Sequence, residues 1–316
     1  MLFTHRLVAE GKPVIGIFRR SLLATIALTF VLLSGPVAAS HSQNPAPAQS
    51  SGSGDYFFIQ LADPQFGAST SDRDFAQETA NYEFTVSSIN RLRPRFVVIC
   101  GDLINKTGDP VQSAEYLRIT AKIDPAIRVY ALPGNHDVGN DPTPQSLAYY
   151  RDHFGPDYYS FREGSIYGIV LDSSVISSPA KVQQEADKQE AWLKSELAKA
   201  ASSGARHIVV FQHHSWFLQQ PNEPTQYFNI PIEQRVRYLA LLKSSGVHYV
   251  FAGHYHRNAY GKDGELEMIT NGPVSRPLGT DPTGFRIVTV KDSGLVHRYY
   301  SMGEIPNQYQ PPAPAR

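Results

Sequence analysis

Five short stretches of this chain each end an apolar run with side chains that bind metal ions. They are Asp63-Pro64-Gln65, Gly101-Asp102, Gly134-Asn135-His136-Asp137, His213-His214 and Gly253-His254-Tyr255-His256. The set offers carboxylate, amide and imidazole donors and no thiolate. That mixture suits hard or borderline divalent ions doing hydrolysis rather than a structural zinc. The donors suffice for two ions, and a paired-ion site with a histidine beside it is suited to breaking phosphate esters.

Each stretch has its own chemical logic and a plainer alternative. Asp102 follows a glycine, so backbone can crowd an ion there, and its two oxygens can bridge a pair of cations; alone, it would read as a turn aspartate. Asn135 offers a neutral amide oxygen. Its neighbour His136 is placed to face substrate instead of an ion, with Asp137 holding the imidazole in one tautomer. Without the other motifs the same residues would make an ordinary turn. His254 and His256 flank Tyr255 and, in a loop, can straddle two ions; the alternative is a pair of surface imidazoles. Adjacent side chains diverge in a strand, so one of His213 and His214 is expected to be a ligand. Asp63 and Gln65 share one face of a strand end and can chelate the same ion. His153, His207, His248 and His297 lie apart from these motifs and read as surface or core. Asp172-Ser173-Ser174 lacks the glycine frame of a nucleophile elbow and reads as a structural turn. Tyr149-Tyr150, Tyr158-Tyr159 and Trp216-Phe217 read as core rather than pocket walls.

The elements that must position these residues follow from periodicity. Strands are expected at 56–61, 96–99, 127–132, 158–161, 166–171, 207–211, 248–251, 266–270, 285–290 and 295–300. Helices are expected at 75–92, 115–123, 183–201 and 232–243, where apolar residues recur three or four apart. The run Phe96-Val97-Val98-Ile99 has the uninterrupted apolar character of a strand buried on both faces. The alternation argues for an α/β core of two packed sheets with helices outside. Every candidate site residue then falls just past the carboxyl end of a strand, where open α/β sheets bind ligands.

With 41% hydrophobic and 18% charged residues in 316, the chain has the composition of a globular protein with a sizeable core. A formal net charge of +0 gives no field favouring nucleic acid or an anionic membrane. Its single cysteine, Cys100, excludes an intrachain disulfide and reads as a buried strand residue. Arg19-Arg20 precede an apolar run at 22–33, and Val37-Ala38-Ala39 follow it, so residues 1–39 read as a cleaved export signal. An uncleaved N-terminal anchor is the alternative. Residues 40–54 read as a flexible linker, 55–303 as the folded body and 304–316 as a proline-rich tail.

The order of these motifs resembles the calcineurin-like metallophosphoesterase superfamily over nearly all of the folded body. Ala62-Asp63-Pro64-Gln65-Phe66-Gly67, Phe211-Gln212-His213 and His297-Arg298-Tyr299-Tyr300-Ser301 are similar to one branch, the calcineurin-like phosphoesterase domain-containing serine/threonine phosphatases. The resemblance implies a four-layer α/β/β/α sandwich with two divalent ions, of Mn, Fe, Zn or Mg. It implies Asp63, Gln65, Asp102 and His256 around one ion, and Asp102, Asn135, His213 and His254 around the other. It further implies that His136, oriented by Asp137, protonates the leaving group or stabilises phosphoryl charge. The chain departs from the common pattern at Gln65, where histidine is usual, which would favour Mn or Mg over Zn at the first ion. Asn105-Lys106 stand where an arginine is usual, so Lys106 or Arg257 is expected to join Asn135 and His136 in contacting phosphate.

The expected activity is therefore hydrolysis of phosphomonoesters, phosphoserine and phosphothreonine among them, by attack of a hydroxide bridging the ions. Phosphodiester cleavage of nucleotides or phospholipid head groups is the alternative. A non-catalytic binding protein on the same fold is the remote one.

Overall fold

The computed structural model describes residues 54–311; the expected export signal, and all but Gly54 of the expected linker, lie outside them. In chain order the elements are β1 (Tyr56–Leu61), α1 (Ala76–Leu92), β2 (Phe96–Cys100), α2 (Pro110–Thr120), β3 (Arg128–Leu132), α3 (Asn135–Val138), α4 (Pro144–Phe154), β4 (Tyr159–Glu163), β5 (Ile166–Val170), α5 (Ser173–Ser177), α6 (Gln183–Ser202), β6 (His207–Phe211), α7 (Ile232–Ser244), β7 (Val247–Ala252), β8 (Ala259–Asp263), β9 (Leu266–Thr270), β10 (Gly284–Lys291) and β11 (Gly294–Ser301).

The strands form two mixed sheets, one ordered β11-β10-β1-β2-β3 and the other β4-β5-β6-β7-β9-β8. Side-chain alternation sorts the layers. On β1, Phe57, Ile59 and Leu61 join Tyr82, Val86 and Ile89 of α1 in an outer core. Phe58 and Ala62, one step out of phase, join Phe211 and Phe251 of the second sheet in the inner core. Beyond that sheet, Val210, Val250 and Met268 pack with Leu193 and Leu197 of α6 and Leu239 and Leu242 of α7. Apolar faces on both sides of each sheet thus produce a four-layer α/β/β/α sandwich.

Where the elements differ from expectation, local capping explains it. Helix α2 begins five residues early because Asp109 accepts from the amides of Val111 (2.9 Å) and Gln112 (3.1 Å), with Pro110 in the first turn. Helix α4 was not expected; Thr143 caps it and Pro144 opens it. Strand β8 closes a hairpin with β9, pairing Ala259 with Thr270. Of the expected tail, Ile305 and Tyr309 lie against the outer core, and the Tyr309 ring meets Phe57 at 4.8 Å. Among the described residues no helix is long and apolar enough to cross a membrane.

The topology matters for the site. Strands β1, β2 and β3 run parallel in one sheet, and β5, β6, β7 and β9 in the other. Their carboxyl ends therefore open on one edge of the sandwich, and the loops there are laced together. The amide of Asp63 donates to Gly101 O (3.1 Å), that of Gln65 to Asp102 O (2.8 Å) and that of Gly253 to His213 O (3.0 Å).

Candidate metal centre

Five site residues leave their strands through left-handed backbone: Asp63 (φ 53°), Gln65 (36°), Asp102 (50°), His254 (68°) and His256 (52°). Such conformations cost a non-glycine residue of order 1–3 kcal/mol and persist only where surroundings enforce them. Here they turn side chains from the loops after β1, β2 and β7 toward one point. Gly134 allows the closest approach: a Cβ there would lie 2.1 Å from Asp102 Oδ1.

The donors fall into two groups that share Asp102. Ligand atoms of Asp63, Asp102 and His256 lie within 4.8 Å of one another, as do those of Asp102, His213 and His254. Gln65 lines the same cleft as Asp102, His254 and His256, and Asn135 adjoins the second group. Asn135 Oδ1 is 3.0 Å from His213 Nε2, which is also 3.2 Å from Asp102 Oδ2. All seven residues are buried. His214 is not a donor to either group: its Nδ1 meets Ser173 Oγ at 3.0 Å, and that oxygen also accepts from the amides of His213 and His214. Asp172 caps α5, so the Asp172-Ser173-Ser174 turn is a strut for the His213 loop.

Three imidazoles have their tautomers set by backbone carbonyls, which can only accept. His213 Nδ1 donates to Cys100 O (2.8 Å), His254 Nε2 to Tyr227 O (2.9 Å) and His256 Nδ1 to Arg276 O (2.5 Å). Each ring keeps its other nitrogen for an ion, Nε2 of His213 and His256 and Nδ1 of His254, the arrangement typical of metal-bound histidine. Gln65 adds a second sign. Its Oε1 is buried with no hydrogen-bond partner among the described residues, a costly state unless an ion takes the oxygen. The donor set thus fits two divalent ions.

Electrostatics point the same way. Burial alone would raise the Asp102 carboxyl, yet His213, His136 and His254 beside it hold it well below the usual range. Burial opposes charge on His213, but Asp102 overrides it and raises the imidazole to about 9. Burial and His213 together push His254 down to about 3. A divalent ion held here would take the place of the proton on His213, because metal binding requires the neutral imidazole.

The cleft over this centre is about 190 Å³ and is lined by Gln65, Asn105, His136, Tyr227, Phe228 and Arg276, among others. His136 faces it as expected, with its amide 2.8 Å from Asp102 Oδ1. Two expectations are corrected. Asp137 does not orient His136. It is fully buried and accepts from the amides of Leu103 (2.9 Å), Ile104 (3.1 Å) and Gly134 (2.8 Å), because the tight turn at 134–138 aims it at the Asp102 loop. His136 Nδ1 instead donates to Asn105 O at 2.7 Å. Arg257 is not a cleft residue either. It bonds the carbonyl of Leu278 and lies over the Tyr255 ring. Lys106 points to Asp109, 3.7 Å away. The arginine among the lining residues is Arg276, which is exposed and has no ion pair among the described residues.

Sequence reasoning missed Arg276, Tyr227 and Phe228. All three sit in irregular loops where no periodicity or motif marks them. The aromatic pairs Tyr149-Tyr150, Tyr158-Tyr159 and Trp216-Phe217 do not line the cleft, and Tyr150, Trp216 and Phe217 are core. Nor do His153, His207, His248 and His297 reach it.

Comparison with known proteins agrees with this geometry. Residues 58–258 match the family model described as Calcineurin-like phosphoesterase. Serine/threonine-protein phosphatase CPPED1 of Bos taurus is 38% identical over 267 residues, covering 80% of this chain and 85% of its own. The Homo sapiens protein of that name is 37% identical over 277 residues, covering 83% and 88%. A dimetal phosphatase structure from Danio rerio has a TM-score of 0.57 at 17% identity, covering 78% of this chain and 96% of its own, a likeness of fold. With its two donor groups sharing Asp102 and its sequence matched from the first strand to the last histidine loop, this chain belongs to the calcineurin-like phosphoesterase family and is a metal-dependent phosphoric ester hydrolase.

Proposed function

We propose that the chain is an exported phosphomonoesterase acting on small, dianionic phosphate esters. The observation that carries the monoester preference is the narrow cleft, about 190 Å³, lined by Arg276, which has no ion pair among the described residues. Typical small-molecule pockets run from about 300 Å³ upward. There is room for a phosphoryl group and a short part of the leaving group, with Tyr227 and Phe228 as the wall.

Asp63, Gln65, Asp102 and His256 would hold one ion, and Asp102, Asn135, His213 and His254 the other. Bound divalent ions acidify water and offset charge developing on the phosphoryl oxygens. The chain's own groups do the rest. Arg276 is placed to pair with non-bridging oxygens and orient the ester. His136, with Nδ1 engaged by Asn105 O, keeps Nε2 for proton transfer to the leaving oxygen. Thr107 Oγ1 bonds the His136 carbonyl at 2.7 Å and steadies that residue.

The relatives are named serine/threonine phosphatases, which supports a seryl or threonyl phosphate fitting the site. Export rests on the basic, apolar and small-residue pattern of residues 1–39. Outside the cytoplasm phosphoproteins are scarce, which favours small phosphomonoesters over protein substrates. The deciding experiment compares p-nitrophenyl phosphate with bis-p-nitrophenyl phosphate on metal-reconstituted protein. Faster turnover of the diester would overturn the monoester reading. N-terminal sequencing of exported protein should begin at Ser40, and a start before residue 30 would refute cleavage after Ala39.

A further inference from the structure

Gln65 is an amide where this family commonly has an imidazole, and an amide has a problem of orientation. Only its oxygen can bind a cation; turned over, it would present NH₂ to the ion. A chain of four side chains settles which way it faces. Gln112 comes first. Its Oε1 accepts from the backbone amides of Asn105 (3.0 Å) and Lys106 (2.9 Å), which can only donate. Its Nε2 must therefore point the other way, and it donates to Asp72 Oδ1 at 2.7 Å. Asn105 Nδ2 donates to the same Asp72 Oδ1 at 2.8 Å. An ionised carboxylate is acceptor-only, so Asn105 must present NH₂ to Asp72 and its oxygen to the other side. There Asn105 Oδ1 accepts from Gln65 Nε2 at 3.1 Å, which leaves Gln65 Oε1 directed away, buried and unpartnered.

We propose that Asp72 is a positioning residue for the first ion: through Asn105 it fixes the Gln65 amide with its oxygen toward that ion. Asp72 touches neither ion nor substrate, and the inference holds whatever ester the centre hydrolyses. The loop is shaped for this task. Asp72 takes a left-handed φ of 66°, and its amide donates to Gly67 O at 3.0 Å. A Cβ on Gly67 would lie 2.6 Å from Gln112 Nε2 and 2.8 Å from Asp72 Oδ1, so only glycine lets the two meet.

The test measures Mn²⁺ binding to the whole protein by calorimetry and by elemental analysis after gel filtration. Asp72→Gly removes the acceptor while tolerating the backbone angle. It should weaken one of the two Mn²⁺ ions about ten- to hundred-fold, the usual cost of losing a partner that orients a ligand. The other ion should bind as before. Asp72→Asn, whose Oδ1 can accept both bonds, should restore wild-type binding. Asn105→Ala, which breaks the chain at its middle, should lose the same ion as Asp72→Gly. In a Gln65→Ala background, Asp72→Gly should have no further effect. Unchanged binding of both ions in Asn105→Ala, an equal loss at both ions, or a full additional loss in the Gln65→Ala background would each overturn the proposal. Should Asp72→Gly fail to fold, Asn105→Ala and its double variant with Gln65→Ala decide alone.

Discussion

His136 donates its Nδ1 proton to the carbonyl of Asn105, 2.7 Å away, while its sequence neighbour Asp137 turns into the core. The two residues therefore do separate work. His136→Ala should keep both ions yet lose about 10²–10⁴ in turnover of p-nitrophenyl phosphate, the range for losing a proton donor. Asp137→Asn should fail differently. Its NH₂ would face amides that only donate, costing about 1–3 kcal/mol for each amide left without an acceptor. Thermal melting should show that loss. An Asp137→Asn protein as stable as wild type but inactive would return Asp137 to a direct role at His136.

Asp102 is common to both donor groups, so one substitution should empty the whole centre. Asp102→Ala is expected to bind neither ion at micromolar concentration and to hydrolyse no ester. Gly134→Ala should resemble it, because the added Cβ would lie 2.1 Å from Asp102 Oδ1 and displace the carboxylate. Elemental analysis of the two proteins, beside Gln65→Ala, separates loss of both ions from loss of one. Retention of two ions by Asp102→Ala would show that the groups do not share it.

What the sequence revealed and what it hid have one physical cause. The candidate donors were legible because each follows a strand written as an apolar run, and strand ends in α/β sheets are where ligands bind. Strand boundaries were accordingly close: β1, β6 and β9 fall where expected. Asp137 was misread because neighbours in sequence were taken as neighbours in function. The tight turn at 134–138 sends adjacent side chains in opposite directions, which no spacing rule foretells. Arg276 and Tyr227 were hidden because they reach the cleft from loops with no periodicity. In the unexpected helix α4 the signal was present but unread, since Thr143-Pro144 is a cap followed by a helix-opening proline.

Arg276 and Arg257 give opposite expectations despite both lying in loops near the centre. Arg276 lines the cleft without a charged partner, so Arg276→Ala should raise KM for a phosphomonoester about tenfold or more. That follows from one lost charge-assisted hydrogen bond of about 1.5–3 kcal/mol. Arg257 is engaged with Leu278 O and the Tyr255 ring, so Arg257→Ala should leave KM within about twofold of wild type. Steady-state kinetics on the two variants decide the matter. An Arg257→Ala enzyme with the larger KM defect would reverse the assignment.

Asp172 is expected to give the protein a pH dependence of stability of its own. Burial, and then the charge of Asp157, push its carboxyl up to about 8. Its Oδ2 has no hydrogen-bond partner among the described residues, so no donor stabilises the ionised form there. An unfolded chain releases that proton near an ordinary value of about 3.9. Between those two values the folded protein binds the extra proton, so its stability falls as pH rises, by at most about 1.4 kcal/mol per unit from this group. The stabilising contribution is complete below about pH 4 and gone above about pH 8. Asp172→Asn mimics the neutral acid and keeps an oxygen to accept from Ser174 and Val175, so helix α5 stays capped. Denaturant melts from pH 4.5 to 8.5 should be flatter for the variant, and it should gain on wild type toward the alkaline end. Parallel curves for the two proteins would mean that Asp172 is ionised in the fold.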